Sequence, residues 1–214
     1  MTDHRTWVGQ RRSAQTRRQI TVAALGVFAE KGLDAPVIDD FIKAAGVARG
    51  TFYNHFASTQ ELLDAATKLL EDNVMRSILA ATEEITDPAL RFATGIRVWL
   101  RWSKADMVGC GFVVRSRFRG PLVERQLTAD LKDGLDAGKF RFASAQVARD
   151  LSVGTILEAM RRLMTSRVPK TYTDDVARMI LQGVGVDRRT ADELMAAPLP
   201  PIELPVWGPQ AGRG

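Results

Sequence analysis

From Gln15 to Lys31 the apolar residues Ile20, Ala23, Ala24, Val27 and Phe28 recur at the three-and-four spacing of one helical face, and Gly32 supplies a C-terminal stop. Pro36 stands where a second, short helix can begin, because the N–H it lacks would have no helical partner there. Ile38, Phe41, Ile42 and Ala45 give that helix an inner face, and Gly46 ends it. A third helix is expected from Ala48 to Phe56, with Phe52 and Phe56 on one side and Val47 packing ahead of them. Ser58 and Glu61 then form a capping-box pair, each side chain satisfying a backbone donor near the other. They open a long helix whose apolar stripe runs through Leu62, Leu63, Ala66, Leu69, Leu70, Val74 and Ile78.

Downstream, Asp87 and Pro88 are an N-cap and first-position pair for a helix reaching about Lys104, and Pro121 opens another ending near Gly138. Ser144 caps a helix to about Arg167, and Thr173 caps one through Val186. Between the helix ending near Lys104 and the one opened by Pro121, 108–118 has the weakest periodic signal. The pattern predicts an all-α fold: an N-terminal three-helix domain followed by a larger helical domain. The division is a basic, flexible arm over 1–14, a small helical domain over 15–58, the larger domain over 59–197, and a Pro/Gly-rich, poorly ordered tail over 198–214.

Composition narrows the class. A chain of 214 residues, 45% of them hydrophobic, can bury a core without staples. The single cysteine, Cys110, cannot form an intramolecular disulfide, and His4 and His55 lie too far apart to suggest a metal pair. No metal and no cofactor are expected. The absence of an export signal or a long apolar run points to a cytoplasmic protein without a membrane partner. Enzyme chemistry has no anchor, for there is no Gly-rich phosphate loop and no nucleophile beside a base. Cys110, lacking a nearby histidine, reads as a small buried hydrophobe. The net charge of +5 is unevenly placed, with five arginines against one acid up to Arg18. That arm fits two readings, a solvated tail or a cationic strand along a DNA groove.

The segment Ile38 to Phe56 carries the candidate chemistry. Two short helices joined by a tight turn need a residue that tolerates the left-handed conformation, which Gly46 supplies, and apolar clamps, which Phe41, Val47 and Phe52 supply. Arg49, Thr51, Tyr53, Asn54 and His55 then form a polar outward face suited to phosphates and base edges. Arg49, Thr51 and Asn54 are the candidates for base contacts, and Gly50 lets the helix backbone approach a duplex closely.

The run Val37 to Phe56 resembles the DNA-binding part of the TetR family of transcriptional regulators, and the likeness extends to Ala24, Phe28, Gly32, Ser58, Glu61 and Leu62. It covers about the first third of the chain. The resemblance implies that Tyr53 and His55 contact phosphates, and that the protein is a homodimer placing two recognition helices on a palindromic operator. Three positions depart from the family pattern: Pro36-Val37 at the start of the second helix, the bulky Ile42 within it, and Thr59 where a phosphate-binding lysine is common.

The resemblance further implies that the larger domain binds a small molecule and dimerises through its last two long helices, 144–167 and 173–186. Ala148, Gly154, Gly183 and Gly185 would allow close packing there; the same helices also fit a purely intramolecular core. Trp99, Trp102, Met107, Phe112, Phe118 and Met160 are the candidate lining for an apolar or aromatic ligand. The functional expectation is a sequence-specific DNA-binding regulator, a repressor released from its operator by a ligand. The alternative is a helical DNA-binding or interaction protein without a ligand switch.

Overall fold

Three start signals operate in the structure as the sequence suggests. Ser58 Oγ accepts the Glu61 N–H at 3.1 Å while Glu61 Oε2 accepts the Ala57 N–H at 2.9 Å. Asp87 Oδ1 accepts from Ala89 and Leu90 N–H, and Ser144 Oγ accepts from Val147 N–H. Each satisfies donors that the first helical turn leaves open. The computed structural model describes residues 2–116 and 120–207. Among them run α1 (Thr2–Lys31), α2 (Ile38–Ala45), α3 (Arg49–Tyr53), α4 (Thr59–Thr82), α5 (Pro88–Ala105), α6 (Met107–Ser116), α7 (Pro121–Asp136), α8 (Ala145–Thr165), α9 (Tyr172–Gly183) and α10 (Arg188–Ala196), with no strand among the described residues.

The head, formed by the C-terminal half of α1 with α2 and α3, has no core separate from the body. Phe28 packs against Phe41 of α2, ring centroids 5.0 Å apart, and edge-on against Phe112 of α6 at 6.0 Å. Ile20, Ala24, Phe52, Phe56, Leu62 and Leu70 continue the same buried cluster through α4 to Trp99, Trp102 and Met160. Where α1 meets α6, Gly111 faces Ala29, and a Cβ on the glycine would stand 3.2 Å from the alanine methyl. A second cluster on the other face of α5 joins Phe92, Ile96 and Leu100 to Leu131, Phe140, Ile180 and Leu181.

A buried carboxylate ties α4 to the body. Glu71, buried on α4, accepts the Leu122 and Val123 N–H groups at 2.5 and 3.0 Å, so its carboxylate caps the first turn of α7.

Several expectations need correction. Residues 2–14 are helical, not a flexible arm, because they propagate a helix already anchored from Ile20 onward and extension adds one bond per residue. The tail is packed over 198–207: Trp102 Nε1–H donates to Pro205 O at 3.0 Å, Ser77 Oγ donates to Glu203 O at 2.8 Å, and Leu199, Ile202, Leu204 and Trp207 lie against the core. The stretch 108–118 is helical as far as Ser116. The helix assigned to 173–186 starts at Tyr172 and stops at Gly183, and α10 follows, capped by Asp187 through the Thr190 N–H and hydroxyl. Gly183 and Gly185 serve packing within the chain: Leu151 fills the space over Gly183, and Gly185 (φ 91°) lies against the Arg141 carbonyl.

Phe52 is fully buried beneath the recognition segment. Phe52→Ala is expected to lower the unfolding free energy by about 3–5 kcal/mol, measured as a shift of the urea midpoint.

Candidate nucleic-acid interface

Asp40 sets the entry to α2, its carboxylate accepting the Val37 N–H at 3.0 Å and pairing with Lys31 at 2.6 Å. The Lys31 hydrogen bond and the Val37 N–H together hold the Asp40 carboxyl below the usual carboxylate range. At the other end Gly46 takes φ 64° and ψ 36°, and the Val47 N–H returns to Ile42 O at 3.2 Å, closing a left-handed stop. Ile42, the bulky departure, is half-buried at the edge of the shared core.

Ala48 enters α3 extended and offers no side-chain cap, and α3 has only five residues. Asn54, His55 and Phe56 follow through backbone bonds to Gly50 and Phe52. The helix is therefore shorter than the 48–56 span expected. Its inner side chain, Phe52, is fixed between Phe56, with ring centroids 6.0 Å apart, and the Tyr53 ring edge-on at 5.7 Å. Burying that one side fixes the opposite face outward. Arg49, Gly50, Tyr53 and Asn54 are exposed, while Thr51 and His55 are half-buried at the rim. A Cβ on Gly50 would meet nothing within 4 Å, so the glycine leaves open space on the outer surface. Thr59 opens α4 beside this surface.

The sequence reading missed two residues that organise this face. Asp39 of α2 pairs with Arg49, orienting a guanidinium proposed for base contact; both side chains are largely exposed, so the pair is weak and can open. Arg17 of α1 donates to His55 O, pairs with Glu61 at 3.1 Å and lies over the Phe56 ring at 4.1 Å. It joins α1, the end of the recognition segment and the start of α4. The Ala57 N–H, then Arg17, draw the Glu61 carboxyl down. Neither partner is within local spacing, so periodicity gave no signal for them.

In the body, a cavity of about 100 Å³ is walled by α4 (Met75, Ile78), α5 (Phe92, Ile96, Trp99), α6 (Val113), α7 (Val123, Leu127) and α8 (Ile156, Leu157). Gln126 and Asp130, one turn apart on α7, are its polar lining. Asp130 accepts from Arg91 Nε at 2.7 Å and Gln126 Nε2 at 3.0 Å, yet burial pushes its carboxyl above the usual range.

Of the five described residues among the six expected to line a ligand site, only Trp99 does so, its indole N–H directed at Met160 Sδ 3.3 Å away. Met160 and Phe112 are core, Trp102 is buried beneath the tail, Met107 is exposed, and Phe118 lies outside the described residues. Large apolar side chains marked burial correctly, but which of them border a void depends on the crossing of five helices.

A short recognition segment mounted on a helical body defines a helix-turn-helix regulatory protein. Residues 20–66 match the bacterial regulatory proteins of the tetR family, and residues 87–197 match the tetracyclin repressor-like C-terminal domain. The second match alone spans more than half of the chain, and the chain belongs to the TetR family. Among relatives, the transcriptional activator FasR of Mycolicibacterium smegmatis is 27% identical over 123 residues, 58% of this chain and 55% of its own length. The regulator YvdT of Bacillus subtilis is 42% identical over 60 residues, 28% of this chain and 31% of its own. The chain thus spans about half, and about a third, of the length of these relatives. The crystal structure of RolR with resorcinol is 28% identical with a TM-score of 0.67, covering 91% of this chain and all of that one. Membership of this family assigns the chain to regulation and not to catalysis. No helix among the described residues is long and apolar enough to cross a membrane.

Cys110 is buried, and desolvation, aided by the nearby Asp106 charge, pushes its thiol up to about 12. A raised folded-state value means that the neutral thiol favours the fold at neutral pH and that this contribution is lost only as pH climbs past the ordinary thiol value. Iodoacetamide at pH 8 is expected to leave Cys110 unmodified in the native protein and to alkylate it in denaturant, read by mass spectrometry.

Proposed function

We propose that the protein is a cytoplasmic, dimeric, sequence-specific DNA-binding regulator whose operator affinity is set by a small, uncharged, apolar or aromatic ligand. The observation that carries the DNA reading is the outward face of α3 and the two residues after it, where Arg49, Thr51, Tyr53, Asn54 and His55 accompany the open surface at Gly50. Arg49, Thr51 and Asn54 would read base edges, Tyr53 and His55 would hold phosphates, and Gly50 would let the backbone close on the duplex. Two copies are needed to span paired half-sites about one helical turn apart. Exposed Val147, Leu151 and Met179 on α8 and α9 supply an apolar face for pairing.

The ligand reading is supported by the apolar cavity between α4 and α7, and by the resorcinol complex of RolR. Met75 and Ile78 belong to the same helix that begins beside the recognition segment, so a ligand that alters α4 alters the head. Only a ligand with different affinity for the DNA-bound and released states can act this way. Release from the operator makes the protein a repressor, whereas FasR is an activator; the direction of control is read from expression of a gene placed behind the operator.

Fluorescence anisotropy with duplexes covering the DNA around the protein's own gene, against random competitor, tests the first half. Specific binding is expected, with Tyr53→Ala weakening it about tenfold or more and Gly50→Leu abolishing it while leaving the thermal midpoint within a few degrees. Binding indifferent to sequence would reject the operator model.

Resorcinol titrated into the complex tests the second half. A drop of about 5-fold or more in DNA affinity is expected, with Ile156→Trp, which fills the cavity, removing the response and sparing DNA binding. Equal DNA affinity with and without every small aromatic tried, despite measurable binding of one of them, would leave the regulator without a switch.

A further inference from the structure

The N-terminal half of α1 does more than extend a helix. Counting from Trp7 to Gln19 there are four arginines and no acidic residue, and no side chain in that stretch is buried. The first buried core position is Ile20. A helix of this length standing without tertiary packing is marginal in water. What supports it is local: the Arg11 guanidinium lies 4.1 Å over the Trp7 ring, and the Thr16 hydroxyl donates to Arg12 O at 3.0 Å.

The helix also has a direction. Its C-terminal half touches the body, with Ala29 against Gly111 and Phe28 against Phe112. Its middle touches the reading end, where Arg17 donates to His55 O and Gln19 Nε2 donates to Ala45 O at 2.7 Å. Moving toward the N-terminus therefore leads from the body to the recognition segment and then past it. Residues before Arg17 continue at about 1.5 Å each, so the stretch back to Trp7 projects roughly 15 Å further. Arg11 and Arg18 are seven residues apart, two turns, and so share one face of the helix, with Arg12 beside them.

We propose that residues 7–18 of α1 form a second DNA contact, with Arg11, Arg12 and Arg18 lying along the phosphate backbone that flanks the bases read by α3. The occupant is the same duplex. The basis is charge complementarity, four arginines over 7–19 with no acid in that stretch of α1, with the acids Glu61, Asp64 and Asp72 of α4 in the groove that Arg18 borders, together with continuity through Arg17 into the interface proposed above, on which this contact depends. Arg17 stays with Glu61 and His55 and acts as the hinge pin that sets the angle of the projection. Phosphate contacts position a protein without reading sequence, so this element adds affinity and salt dependence and leaves base preference to α3.

The test uses the full-length protein and anisotropy titrations over a range of salt concentrations, on an operator duplex with flanks and on one trimmed to the half-sites. The triple variant R11A/R12A/R18A is compared with wild type and with R11K/R12K/R18K, each checked by circular dichroism. The slope of log affinity against log salt is expected to flatten by about 2 to 3 per bound arm in the alanine variant, near 0.9 for each lost phosphate. The lysine variant should keep most of the slope. Trimming the flanks should weaken wild type and leave the alanine variant unchanged, and the ratio of operator to random affinity should be the same for all three. An unaltered slope in the alanine variant, with wild type still preferring the operator, overturns the arm contact alone. Absence of any operator preference in wild type overturns the DNA reading, and the arm proposal with it.

Discussion

The position of the head depends on Phe28. Its ring is shared between Phe41 in α2 and Phe112 in α6, so the same side chain closes the head and fastens it to the body. A three-helix unit of this size has little apolar surface to bury by itself, and its core continues without a break into α4, α5 and α6. Motion of the recognition segment relative to the body must then pass through packed helices that slide or tilt as units. A head on a flexible linker would be free of such constraint.

The recognition segment itself is locally weak. Five helical residues, a glycine among them and no side-chain cap, would not hold a helix in isolation. It persists because Phe52 is buried on one side and Arg17 grips the His55 carbonyl on the other. The polar face is consequently displayed by packing beneath it. This division, in which buried aromatics supply the order and exposed polar groups are left to meet a partner, is repeated at Asp39 and Arg49, a surface pair that orients without committing much energy.

The legible parts of the sequence were those whose physics is local. Ser58 with Glu61, Asp87 with Pro88, and Gly46 each act within four residues of themselves, and each does in the fold what its spacing implies. The outward set on α3 was legible because one buried aromatic fixes the opposite face. Other features required partners distant in the chain. The tail looked disordered by composition, yet Trp102 binds Pro205 across 103 residues. The N-terminal arm looked flexible because it buries nothing, and its helicity derives from the anchored segment after it. Trp102 and Phe112 were correctly apolar and wrongly assigned to a pocket, since a void is set by the crossing of helices and not by the size of any one side chain. In α10 only Ala191 and Met195 are buried, too few for a periodic signal.

Glu71 has a consequence for how such a protein can diversify. Its carboxylate grips α7 through the main-chain N–H groups of residues 122 and 123, and Val123 lines the cavity with its side chain. A main-chain handle is indifferent to what the side chain is, so long as it is not proline. Substitutions at 123 can reshape the cavity over generations while the tether between α4 and α7 stays intact. Position 71 has no such latitude, since few other side chains can reach and accept both hydrogens. The shape of the cavity and the tether between its walls are thus written at separate sites, and one can drift without erasing the other.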